Sequence, residues 1–238
     1  RTVTGVQTCA LPISAIARTS PQLGRVLVNV GRAGILTEGD TMNLALADTG
    51  ALRDAVAKYR DVVVGIKARL SRDVAGDNDE EVLRRSQEVA TSLDLPLMIH
   101  MGQTRSPIGK LLGRLKPGDI VTHMFAPPPN SIVDDNGRIL PEVMAARRRG
   151  VWFDVGNGQT GHMRWDVIER IMKSGFWPDT FSTDWNVNSP TTGVIDFPNC
   201  MSKLFGYGMT VPEAIARATV NAARIFDVFR DQIGRAHV

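Results

Sequence analysis

The sequence predicts an α/β protein built on a parallel sheet, and three observations carry that prediction. Six short runs are rich in β-branched and other apolar residues and lack the strict apolar–polar alternation of a half-exposed strand; this is the pattern of strands covered on both faces. A helical stretch separates each run from the next, as in repeated strand–helix–strand crossovers. Polar residues recur at the ends of the apolar runs, where parallel folds place their ligands. Alternation alone leaves a closed barrel and an open doubly wound sheet both open. No Gly-x-Gly-x-x-Gly follows the first strand, so a dinucleotide-binding sheet has little support.

The elements follow in order. Residues 25–30, Arg-Val-Leu-Val-Asn-Val, form the first strand. A helix over 51–59 leads to the strand 61–67, Asp-Val-Val-Val-Gly-Ile-Lys. A helix over 80–93 carries charges on its outer face and precedes the strand 95–100, which ends on His100. A short helix over 108–115 leads to the strand 119–123, ending on His123. Residues 140–149 are helical, 151–155 form a strand, 165–174 are helical and 180–184 form the sixth strand, ending on Asp184. One long helix over 211–228 closes the series, started by Thr210 or Pro212. The loop over 125–140 contains Pro127-Pro128-Pro129 and Asp134-Asp135-Asn136-Gly137. It is long for its position and reads as a lid over a site or as a solvated excursion. The run Arg147-Arg148-Arg149 is most simply a solvated helix end.

Composition narrows the class. With 43% hydrophobic and 22% charged residues over 238 positions, the chain is neither disordered nor fibrous. No apolar run approaches the roughly 18 residues a membrane span needs. The net charge of +3 is small and forms no basic stripe, so neither nucleic acid nor membrane is an expected partner. A small-molecule substrate is expected, and homo-oligomerisation is left open. Two cysteines, Cys9 and Cys200, cannot make a disulfide scaffold, which points to a reducing, cytoplasmic compartment.

The two ends read as foreign to the rest. Residues 1–14 have no helical or strand period, and residues 233–238 follow a finished helix. One codon choice for 233–238 has a reverse complement that, in a shifted frame, lies within a codon choice for 7–13. Opposite strands of one sequencing-adapter-like element can therefore encode both ends, and the natural segment is expected over 15–232. Two of the three excess positive charges, Arg1 and Arg235, belong to those ends, as do Cys9 and His237.

Lys67, His100, His123 and Asp184 each end a predicted strand. Two histidines and an aspartate are good ligands for zinc or a similar divalent metal. Each also has a plain structural reading: a satisfied buried histidine, an Asp that caps a helix or forms a turn, a Lys in a solvated ion pair. Together they weigh as much for a metal site as for these plain readings, because buried charges are costly unless paired or metal-bound.

Four segments then carry a resemblance: Gly65-Ile66-Lys67-Ala68-Arg69, Met98-Ile99-His100-Met101-Gly102, Ile120-Val121-Thr122-His123-Met124-Phe125 and Phe181-Ser182-Thr183-Asp184. They resemble the amidohydrolase superfamily, and within it the dihydroorotase-like amidohydrolase/deacetylase branch. The ending from Gly208-Met209-Thr210 through Ala214-Ile215 to Asn221-Ala222-Ala223-Arg224 resembles that family's last barrel helix. The resemblance covers nearly all of 15–228. It implies a (β/α)8 TIM barrel with a centre of two divalent metal ions, usually zinc. Lys67 would be carboxylated and bridge the metals, because a bare ammonium would repel them. His100 and His123 would bind the second metal. Asp184 would bind the first and act as general base toward the bridging water. The implied reaction is hydrolysis of an amide, cyclic amide or acyl ester. A dihydroorotase-type hydrolase and a non-catalytic barrel used for binding are the alternatives.

The chain departs from that family in several places. It contains no His-x-His pair, which the family carries on its first barrel strand. The strand over 25–30 resembles the third barrel strand, so the chain is expected to hold about strands three to eight of a truncated barrel. As written it is expected to be poorly stable and inactive. Asn157 stands where many relatives carry His, and His162 lies nearby in a loop. Asn157 and Gly158 are candidate substrate contacts or turn formers. Arg69 is a candidate for a substrate carboxylate or a structural salt bridge. Trp185 and Asn186 replace a Leu-His pair common in relatives.

Overall fold

The computed structural model describes residues 24–35, 39–129, 131–158, 162–186 and 188–227. The adapter-like ends, 1–14 and 233–238, lie outside the described residues, as does the last residue of the predicted final helix.

Five strands form one parallel sheet in sequential order: β1 (Val26–Asn29), β2 (Val63–Arg69), β3 (Leu97–His100), β4 (Ile120–Thr122) and β5 (Trp152–Phe153). This order decides between the two architectures. Crossovers between parallel neighbours are right-handed, so sequential pairing puts every connecting helix on one face. The other face must then be covered by curling the sheet upon itself, which makes these strands the consecutive staves of a barrel. A doubly wound sheet would instead reverse its strand order.

The sixth predicted strand is present as a ladder without regular strand geometry. Val155, Asn157 and Gly158 donate backbone N–H bonds to the carbonyls of Thr180, Ser182 and Thr183 at 3.1, 2.9 and 3.0 Å. Asp154 and Thr180 form a parallel bridge. Positive φ at Gly156, Gly158 and Asp184 twists the two chains out of strand conformation just past the pairing.

The helices form where capping and apolar spacing agree. Asp48 caps α1 (Thr49–Lys58) by accepting the Ala51 N–H at 3.0 Å. α2 (Arg72–Ala75) is a single turn before α3 (Asp79–Ser92), whose first turn holds Asp79, Glu80 and Glu81 against the positive helix end. α3 buries Val82, Leu83, Ser86, Val89 and Ala90, one stripe at helical spacing. α4 (Ile108–Leu112), α5 (Pro141–Arg148) and α6 (Trp165–Lys173) fill the next crossovers, and α6 buries Val167, Ile168, Ile171 and Met172. α7 (Phe197–Ser202) is capped by Asp196. Thr210 and Glu213 form a reciprocal capping box at α8 (Val211–Ala218), with Pro212 in its first turn.

Two aspartates fasten neighbouring strands at their starts. Asp119, just before β4, accepts the N–H of Leu97, the first residue of β3, at 3.0 Å, and that of Lys116 at 2.8 Å. Asp179, just before the sixth run, accepts the Phe153 N–H of β5 at 2.8 Å and an Arg147 N–H at 2.9 Å. Both carboxylates thus satisfy backbone donors of the adjacent strand.

The structure corrects four expectations. β2 runs two residues beyond Lys67 to Arg69, so Lys67 lies inside the strand. The final helix is two: α8 ends before Thr219, and α9 (Val220–Phe226) follows. The Thr219 backbone is non-helical, with φ −128° and ψ −76°, and its hydroxyl donates to the Ile215 carbonyl at 2.7 Å, a side-chain bond that competes with the helix ladder. The loop over 125–140 is only in part a solvated excursion: Phe125, Ala126, Ile132 and Val133 are buried in the core, whereas Pro128, Pro129, Asp135, Asn136 and Arg138 are exposed. Arg148 and Arg149 are exposed as expected, but Arg147 is half-buried. It donates to the Trp177 carbonyl at 2.7 Å and stacks 3.6 Å over the Phe176 ring.

Candidate metal centre

β2 places Lys67 opposite Asn29 on one side and Met98 on the other. Side chains alternate along a strand, so Lys67 and Arg69 share one face while Ile66 and Ala68 take the other. Lys67 is buried. Arg69 is held by Asp40, whose two carboxylate oxygens lie 3.2 and 3.1 Å from Nη1, and Asn29 also donates to Asp40 at 3.2 Å. Of its two sequence readings, the structure displays the salt bridge.

His100 is the last residue of β3, and His123 follows the last residue of β4. His123 takes φ +68° and Asp184 φ +48°, backbone conformations that cost energy for residues other than glycine. The turn at His123 lets its Nδ1 meet the Gly156 carbonyl at 2.7 Å. Gly156 is required there: a Cβ would lie 2.2 Å from Thr122 Oγ1 and 2.6 Å from His123 Nδ1. Because Nδ1 faces a carbonyl, it carries the proton, and Nε2 keeps its lone pair.

His162, in the loop after β5, completes a cluster. Its ring stacks on His123 at a centroid distance of 4.0 Å and meets His100 edge-on at 4.9 Å; His100 and His123 are 4.3 Å apart. One ring nitrogen from each lies within 4.8 Å of the others. His162 Nδ1 is buried without an aligned hydrogen-bond partner, and Asp184 Oδ2 lies 3.3 Å from it. Gly158 makes room for this ring, since a Cβ would lie 2.2 Å from His162 Nδ1 and 2.9 Å from Asp184 Oδ2.

Asp154 sits behind the cluster, buried, and accepts hydroxyl bonds from Thr122 at 2.6 Å, Thr180 at 2.8 Å and Ser182 at 2.5 Å. Asn157 is also buried; its amide donates to the Gly158 carbonyl at 3.1 Å and accepts from Lys203 Nζ at 2.7 Å. Trp185 is exposed beside Asp184.

Burial dominates the electrostatics. It holds His123 down to about 3, reinforced by His162 and opposed by Asp184. Burial, then His123 and His162, hold His100 well below the usual histidine range. Both imidazoles are therefore neutral near pH 7, the form that ligates metals. Burial lowers Lys67 to about 8, against the opposing pull of Asp184 and Asp154. It raises Asp154 despite the three hydroxyls. At Asp184 burial pushes upward, but the adjoining His162 and the charges of His123 and Lys67 outweigh it and keep the carboxyl below its ordinary value.

His100, His123 and Asp184 thus converge, with Lys67 coupled to them, and Gly158 lies against the same cluster. Asn157 is engaged by Lys203, and Arg69 by Asp40. Sequence reading missed His162 and Asp154 as members. Asp154 left a signal, a charge inside the apolar run Val-Trp-Phe-Asp-Val; His162 left none, because a loop has no period. The donor set of imidazoles and a carboxylate, with a buried imidazole nitrogen that lacks an aligned hydrogen bond, fits zinc or a similar divalent ion.

Fold and site together define a parallel barrel whose titratable side chains gather at the carboxyl ends of its strands. Comparison with known proteins agrees. The chain is 32% identical over 203 residues to a deacetylase of Enterococcus faecalis, covering 84% of this chain and 55% of that protein. It is 25% identical over 213 residues to a deacetylase of Brucella anthropi, covering 88% of this chain and 53% of the relative. A crystal structure of an adenine deaminase superposes with a TM-score of 0.86 at 30% identity, over 95% of this chain and 62% of that one. A crystal structure of a dihydroorotase matches the fold with a TM-score of 0.83 at 24% identity, over 91% of this chain and 57% of that one. No family model matches. These similarities are consistent with the amidohydrolase superfamily that the sequence resembles. It spans about half the length of the curated relatives it matches.

Proposed function

We propose that the protein is a metal-dependent amidohydrolase, most simply a deacetylase, that hydrolyses an amide or acyl ester of a small molecule. The observation that carries this reading is the convergence of His100, His123 and Asp184 from three separate strand ends onto one cluster. Relatives named deacetylase support the direction of the chemistry. In this reading Lys67, His100, His123 and Asp184 hold two divalent ions, with Lys67 carboxylated and the ions most simply zinc. The bound metal would supply a water of pKa about 7 and polarise the substrate carbonyl. Asp184 acts as general base: Oδ2 takes the proton of the attacking water and returns it to the leaving amine or alcohol. His162 Nδ1 lies 3.3 Å from Asp184 Oδ2. Gly158 leaves the approach to Asp184 open, since a side chain there would meet Oδ2.

The chain contains no His-x-His pair, so turnover is assigned to protein that carries the family's pair. Zinc-loaded protein of that kind is assayed on N-acetyl and O-acetyl compounds against cyclic amides. Release of acetate supports the deacetylase reading, and opening of the cyclic amides alone moves the assignment to a dihydroorotase-type hydrolase. Asp184→Asn should lower turnover by at least about a hundredfold while most of the metal remains bound. Undiminished turnover in that variant would exclude Asp184 as the base.

A further inference from the structure

We infer that His162 is a metal ligand, and that His100, His123 and His162 together form a three-imidazole site for one zinc-like divalent cation within this chain. The inference rests on the metal-dependent reading above and adds to it a residue that the sequence places only in a loop.

Three side chains from three segments meet here, from the end of β3, the turn after β4 and the loop after β5. Their nitrogens come within 4.8 Å of one another, the spacing over which a single ion can be shared. The donors are also prepared. His123 spends Nδ1 on the Gly156 carbonyl at 2.7 Å, which leaves Nε2 to ligate. His162 Nδ1 is buried without an aligned hydrogen bond, its acidic neighbour being Asp184 Oδ2 at 3.3 Å. The backbone is shaped to admit the ring, because at Gly158 any side chain would occupy the position of His162 Nδ1. Three imidazole ligands leave one coordination position free for water or substrate, the arrangement of a mononuclear catalytic zinc site. Such a site requires neither modification of Lys67 nor a His-x-His pair.

Metal binding to the 238-residue chain tests this without any substrate. Metal-free protein is titrated with Co(II) and with zinc against a chelator, with the cobalt d–d spectrum and calorimetry as readouts. One tight equivalent is expected. His162→Ala and His162→Gln should each weaken it at least about tenfold and alter the cobalt bands, as should His123→Ala. Circular dichroism of the metal-free variants reports their folding. X-ray absorption at the zinc edge of the unsubstituted protein gives an independent count, three imidazoles per ion being expected. If His162→Ala binds as tightly as the unsubstituted chain while His123→Ala does not, or if only two imidazoles are counted, His162 is not a ligand and the wider metal reading stands. If the unsubstituted chain is folded and binds no ion, the three-imidazole site is refuted, while the hydrolase reading is decided by the assay of protein that carries the His-x-His pair.

Discussion

Gly156 is the single position on which the site's geometry depends most visibly. It takes φ +51°, and its missing side chain lets Thr122, His123 and the backbone that bonds His123 Nδ1 close to contact distance. Gly156→Ala would add left-handed strain and a clash with backbone and side-chain atoms, so a loss of about 1–3 kcal/mol is expected. Urea unfolding of the two proteins measures it. At this scale the sequence was partly legible. His100, His123 and Asp184 could be found because each follows an apolar run, and a charge or imidazole at such a point has few other uses. Arg69 could not be assigned, since its partner Asp40 lies in a loop whose approach to β2 no periodicity records. His162 was hidden for the same reason. The place of Lys67 was misread by two residues, because Ala68 and Arg69 continue the ladder and Arg69, though charged, is accommodated by Asp40.

Among the elements, the strand starts and helix ends carry separable contributions. Asp119→Ala would strip the acceptor from two backbone N–H groups, one of them on the buried Leu97. The expected cost is about 1–3 kcal/mol, seen as a lower urea midpoint with an unchanged slope. On α3, hydrogen bonds from Arg84 and Arg85 hold the Glu81 carboxyl down at about 2, against an ordinary value of 4.5. A depressed folded-state pKa stabilises above the unfolded value, and that stabilisation is lost as pH falls from 4.5 toward 2. Solvent screens these exposed pairs, so the effect is modest. Glu81→Gln should therefore flatten the fall of the urea midpoint across that pH window. Element types were legible because strands here are short apolar runs and helices have capping residues at their starts, as Thr210 and Pro212 show. The break at Thr219 was not, because a hydroxyl bonding back to Ile215 leaves no mark on an otherwise helical pattern.

Across the whole molecule one apolar core runs from β1 through the helices to α8. Phe153 sits at its centre, fully buried, with Phe176 edge-on at 5.1 Å and Arg147 beyond that ring. Phe153→Ala should cost about 3–5 kcal/mol through lost burial and the cavity left behind, measurable by thermal or urea unfolding. No helix among the described residues is long and apolar enough to cross a membrane. The choice of a barrel over a doubly wound sheet could not be made from strand–helix alternation, which both share. It follows from the pairing order, a property of which strands meet and not of any one segment.

The two aspartates that fasten a strand to its predecessor, Asp119 on Leu97 and Asp179 on Phe153, act at the amino ends of their strands, whereas the histidines and Asp184 gather at the carboxyl ends. The barrel therefore has a clamped floor and a chemically active ceiling, joined only through the strands between. Stability and specificity are to that extent independently adjustable. Changes at the floor alter how long the protein stays folded, and changes in the ceiling loops alter what it recognises. A lineage can thus exchange substrates without rebuilding its foundation.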